Sequence, residues 1–128
     1  MKPRNAVFLL TFLLLSFTMI RPAHPTDEAR RKRITSEILD NFVKENYDSV
    51  SKDFHSSLKT TLPTERLSEV WKYVMTNFGA FKKVISTTTN VMQGYNQVLM
   101  RCQFEKDNAT LEATFNEDDK VFGLYIKP

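Results

Sequence analysis

The apolar residues of this chain change their period once, at Gly79. Before it they recur every three or four positions, and after it every second position. The first spacing lays apolar side chains along one face of a helix, and the second lays them on one face of a strand. A chain that switches in this order has helices first and strands second. Such a chain buries both apolar faces by packing its helices on one side of an antiparallel sheet, an α+β domain.

The helical half reads as two to three helices. After a polar approach over 24–30, Ile34, Ile38, Leu39, Phe42 and Val43 form one stripe between about Asp27 and Asn46. Asp27 and Glu28 stand at its start, where the helix dipole favours negative charge. Val50, Phe54, Leu58 and Leu62 recur every four residues and predict one or two short helical turns. Pro63-Thr64 opens the clearest helix, since proline loses nothing at a helix start. Leu67, Val70, Trp71, Val74, Met75 and Phe78 make its apolar face. Gly79 ends it, as a glycine in left-handed geometry does.

The second half reads as four strands with short connections. Phe81 to Thr89 is β-branched, and Asn90 to Gly94 carries turn residues. Along Tyr95 to Lys106, Val98, Met100, Cys102 and Phe104 face inward, with Gln97, Arg101, Gln103 and Glu105 outward. After an Asp107-Asn108 turn, Leu111, Ala113 and Phe115 face inward, with Thr110, Glu112 and Thr114 outward. A turn over Glu117 to Lys120 leads to Val121–Lys127, with Phe122, Leu124 and Ile126 in phase. These runs predict a four-stranded antiparallel meander.

The N-terminus reads as an export signal. Lys2 and Arg4 precede fifteen uncharged, mostly apolar residues, Ala6 to Ile20. As a helix that run reaches about 22 Å, short of a hydrocarbon core of about 30 Å. It fits a signal-peptide core better than a permanent span. The expected division is a signal peptide over 1–23 and a single domain over 24–128, secreted or periplasmic. The alternative is a retained membrane anchor over residues 6–20, with Arg21 disfavouring the cut near residue 23.

Lys2, Arg4 and Arg21 also account for the entire formal charge of +3. The rest of the chain is net neutral, so an overall basic charge gives no argument for a nucleic-acid partner. Arg30 to Arg33 is a cationic run without interleaved aromatics, and it reads as a solvated helix face. Cys102 is the only cysteine, so no intrachain disulfide can form. In phase with Val98, Met100 and Phe104, it reads as a buried small hydrophobe. One cysteine, with His24 and His55 as the only histidines, offers no metal-ligand spacing.

Leu62-Pro63-Thr64-Glu65-Arg66-Leu67-Ser68-Glu69-Val70-Trp71 and Phe78-Gly79-Ala80-Phe81-Lys82-Lys83 resemble the domain of unknown function 3887 family. Cys102 to Lys106, Ala113 to Asn116 and Val121 to Ile126 resemble its C-terminal pattern, and Phe42 to Tyr47 its opening. The resemblance covers about residues 34–128. It implies a cystatin-like or nuclear-transport-factor-2-like roll of the kind found in exported bacterial proteins, some of which precede an α/β-hydrolase domain. It carries over no catalytic residue, and the sequence holds no GxSxG.

Two functions are compatible with these residues. The first is an exported, non-catalytic binding or interaction module, accessory in one version to a separate hydrolase. It would hold a small apolar ligand between helices and sheet, with Trp71 as a stacking candidate, or a protein partner on the exposed sheet face. The second is a small acid/base isomerase or dehydratase using Tyr47, Asp48, Asp53 and His55, which crowd the segment joining the helices. A tyrosine and an aspartate can polarise and deprotonate a ketone only when both point into one apolar pocket. No cofactor or metal is expected, and the domain is expected to be a monomer or weak homodimer. Asn108-Ala109-Thr110 is a glycosylation sequon that matters only in a host that modifies exported proteins.

Overall fold

The computed structural model describes residues 23–128. The export signal, its cleavage point and the alternative anchor lie outside the described residues. Of the described residues, 31–128 form one compact unit, and 23–30 fall outside it. The chain runs through helices α1 (Ala23–Val43), α2 (Tyr47–Val50), α3 (Ser56–Thr61) and α4 (Thr64–Phe78). Strands β1 (Phe81–Met92), β2 (Tyr95–Phe104), β3 (Asn108–Phe115) and β4 (Val121–Lys127) come next. They pair antiparallel in the order β1-β2-β3-β4. The expected α+β architecture is present. Among the described residues, no helix is long and apolar enough to cross a membrane.

α1 is helical already at Ala23, so the segment expected to be a polar approach belongs to the helix. Alanine, glutamate, arginine and lysine are good helix formers without an apolar stripe, and Pro25 falls in the first turn, where its missing N–H is harmless. Ile34, Ile38, Leu39 and Phe42 are buried as expected, but Val43 is exposed. The chain turns away just beyond it, through Glu45 at φ 60°. On α4, Leu67, Trp71 and Val74 are buried, whereas Met75 lies at the edge of the stripe and is exposed. The helix ends as expected at a positive-φ glycine, but Gly79 has φ 85° and ψ −169°. That extended region is open essentially to glycine alone and differs from the left-handed cap.

The core joins these helices to the inner face of the sheet. Val98, Met100, Cys102 and Phe104 of β2, and Leu111, Ala113 and Phe115 of β3, are buried against Ile38, Phe42, Leu67 and Trp71. At the centre, the Trp71 ring stacks on Phe42 at 5.1 Å with an 18° interplanar angle. Phe104 lies 6.1 Å from Trp71, and Phe78 and Phe81 lie at 6.0 and 5.7 Å from Phe104. Aromatic rings at such separations pack favourably. They pack in the helix–sheet layer, where an apolar ligand was one expectation.

Two turns set the register. Met92 pairs with Tyr95, and Gln93 and Gly94 between them have φ 54° and 84°. Two central residues at positive φ make the two-residue hairpin turn whose twist suits flanking strands. β1 therefore continues past Thr89 to Met92. Between β3 and β4 the register shifts at Thr114/Phe115, so that Thr114 pairs with Gly123 and Phe115 with Val121. The extra residue is Phe122. Instead of joining Leu124 and Ile126 on the core side, it packs its ring on Tyr95 at 4.8 Å.

The sheet's two edges differ. On the β4 side the α2–α3 linker docks by backbone bonds, His55 N–H to Val121 O at 2.7 Å and Val121 N–H to Asp53 O at 2.9 Å. Among the described residues no strand pairs with the outer edge of β1, where Val84, Ile85 and Val91 are exposed.

Candidate functional site

The residues singled out between the helices have separate local partners. Tyr47 packs edge-on against Phe42 at 6.3 Å. Burial, then the nearby Glu45 carboxylate, raises the pKa of its phenol, partly offset by a hydrogen bond with Ser68. Asp48 is exposed and accepts a hydrogen bond from Thr64 Oγ1 at 3.2 Å, at the start of α4. Asp53 uses its backbone carbonyl to hold β4. His55 caps α3: its Nδ1 accepts from the Ser57 N–H at 3.1 Å. None of the four lines the cavity at Gly123 or the cavity at Asn96 and Phe115. Trp71 is 3 % exposed inside the aromatic stack.

Other expected surface features are also engaged. Arg31 of the cationic run forms a largely buried ion pair with Asp119 at 3.0 Å. Arg30 pairs with Asp27 and Arg33 with Glu37. Asn108 is half-buried at the first position of β3, opposite Gln103. Cys102 is buried, and desolvation pushes its thiol up to about 11. Such a thiol is inert as a nucleophile at neutral pH. Among the described residues, no group of three or more His, Cys, Asp or Glu is placed to hold a metal ion.

The distinctive geometry is on the face of the sheet opposite this core. Register places Asn90, Gln97, Thr114 and Gly123 side by side across all four strands. The Asn90 amide donates to Gln97 Oε1 at 3.2 Å, and Gln97 Nε2 donates to Thr114 Oγ1 at 3.0 Å. Thr88, Leu99, Glu112 and Tyr125 form the adjacent row. Glu112 Oε1 lies 3.2 Å from Lys127 Nζ, which also sits 5.6 Å from the Tyr125 ring centroid.

Gln97 and Glu112 face outward, as their alternation predicts, yet they are only 2 % and 8 % exposed. The rings of Tyr95 on β2 and of Phe122 and Tyr125 on β4 line the same space as these two side chains. A cavity of about 270 Å³ opens between these rings, with Gln97, Glu112 and Thr114 among its lining. A second cavity, of about 290 Å³, adjoins the end of β2 and β3 at Asn96, Phe115 and Asn116.

Gly123 lines the first cavity from the interior of β4. It has no positive φ, and an added Cβ would meet Thr114 at 3.4 Å and Tyr125 at 3.8 Å, ordinary contacts. The fold therefore does not demand glycine there. Glycine inside a strand weakens it and marks a bulge or the close approach of a ligand or another backbone; Gly123 directly follows the bulged Phe122 and also lines the cavity. Gln97 points the same way. A primary amide offers two N–H hydrogens and two lone pairs. Among the described residues its partners, Asn90 and Thr114, use one of each.

The rings, the buried amide and Gly123 were not singled out as a site in the sequence. The signal that could have found them is Gly123 between Phe122 and Tyr125 in a strand.

The profile of the family described as "Protein of unknown function (DUF3887)" matches residues 35–124, from α1 into β4. The matched stretch takes in the outer-face residues described above except Tyr125 and Lys127. No curated protein and no solved structure matches the chain.

Proposed function

The chain belongs to the DUF3887 family, and from that membership we propose that it is an exported binding module whose site is the outer-face cavity at Gly123. The observation that carries this reading is Gly123 itself. A strand position that tolerates a Cβ but has none leaves space beside a buried amide and three aromatic rings. Ligand sites combine this kind of apolar lining with a few placed polar groups. The protein would work as a monomer or weak homodimer, accessory to a separate hydrolase. The cystatin-like or nuclear-transport-factor-2-like roll is part of the same reading, and so is export by residues 1–23. The acid/base alternative finds less support, because Tyr47, Asp48, Asp53 and His55 each serve a local packing or capping contact.

A thermal-shift screen of a small-molecule library tests the site. Compounds that stabilise the native protein should lose their effect on Gly123→Leu, whose side chain fills the cavity. Compounds that keep their effect on Gly123→Leu but lose it on Tyr47→Phe or His55→Ala would move the site to the helical side.

A further inference from the structure

We infer that the ligand of the Gly123 cavity presents a cationic ammonium group, primary or quaternary. The inference rests on the binding role proposed above and adds the charge of the ligand. Three observations converge on it.

The first is the sign of the site. Among the residues lining the cavity, Glu112 alone is charged, and its side chain is 11 % exposed. A carboxylate so far removed from water is costly unless a cation pairs with it.

The second is the wall. Tyr95, Phe122 and Tyr125 all line the same space. Aromatic rings have negative faces and attract ammonium groups within about 6 Å of their centroids, most strongly where water is excluded.

The third is that the protein already holds such a group at the rim. Lys127 Nζ lies 3.2 Å from Glu112 Oε1 and 5.6 Å from the Tyr125 centroid. One carboxylate and one ring thus hold a primary ammonium together. The Lys127 side chain is 57 % exposed, so its hold is readily exchanged for a better-buried cation. A ligand seated over Gly123 would meet Glu112 and Tyr125 from the cavity side, with Tyr95 and Phe122 beside it. The spare N–H and lone pair of Gln97 would be left for a neutral polar group on the same molecule.

Choline and its uncharged carbon isostere, 3,3-dimethyl-1-butanol, separate charge from shape. Each is titrated into the ¹⁵N-labelled protein while amide chemical shifts are monitored. Choline should move the amides of Gln97, Glu112 and Gly123, with the isostere about tenfold weaker or more, the scale of a cation–π contact plus a carboxylate. Glu112→Gln, which keeps the shape, should weaken choline by a similar factor. Lys127→Met, which removes the internal competitor, should tighten it severalfold. Equal binding of choline and the isostere, both lost in Gly123→Leu, would leave the cavity as a site and overturn its cationic ligand. The same holds if choline moves no amide while library compounds still depend on Gly123. Library compounds indifferent to Gly123→Leu would remove the site, and the cation with it.

Discussion

Trp71, Gly79 and Cys102 show how single residues are held by different physics. Trp71 lies in the middle of a five-ring aromatic stack. Truncating a buried tryptophan costs about 3–5 kcal/mol, so Trp71→Ala should lower the thermal midpoint more than almost any other single change. A variant melting within a degree or two of the parent would contradict its core role. Gly79 is held by conformation as well as by space. A Cβ there would lie 2.7 Å from Glu105 Cβ, and the φ and ψ values are closed to alanine. Gly79→Ala should cost about 1–3 kcal/mol from backbone strain, with the clash added, whereas Gly123→Ala should be close to neutral. Denaturant unfolding of the pair makes the comparison. Cys102 has its folded pKa raised, from 9.0 to about 11, by burial. Its contribution to stability is therefore fully present below pH 9 and is lost as pH rises through about 11. Thiol reagents at neutral pH should label it only as fast as the protein opens.

At the scale of elements, β2 and β3 are bonded on both sides and carry most of the buried strand residues. β1 has one edge with no paired strand among the described residues and is exposed on both faces along most of its length. Native-state hydrogen exchange should protect β2 and β3 amides longest and release β1 first. Uniform protection across the sheet would mean that something covers the β1 edge. The elements also show what local pattern can and cannot carry. α4 was readable because a 3.6 period and a terminal glycine agree, and the inward residues of β2 and β3 were readable from strict alternation. Phe122 was not, because the bulge that turns it toward Tyr95 depends on pairing between strands. Gln97 and Glu112 were assigned the correct face, but alternation says nothing about what covers that face. Tyr95, Phe122 and Tyr125 come from two strands and meet around them only through register. The site was hidden for the same reason.

At the scale of the whole molecule, helices cover one face of the sheet and the other face carries a polar-lined, ring-walled cavity. Sedimentation of residues 24–128 should give a monomer or a weak dimer. The uncharged stretch Ser86–Met92 of the outer β1 strand, unpaired on one side among the described residues, is the natural place for any self-pairing, since unpaired strand edges template further strands. An obligate high oligomer would contradict this. The central claim is that the outer face over Gly123, and not the segment between the helices, binds the ligand. The most direct measurement is amide chemical-shift mapping with the strongest stabilising compound from the library screen. The account predicts shifts clustered at Tyr95, Gln97, Glu112, Gly123 and Tyr125 and absent in Gly123→Leu. Shifts clustered instead around Tyr47, Asp48, Asp53 and His55, and unchanged in Gly123→Leu, would contradict it.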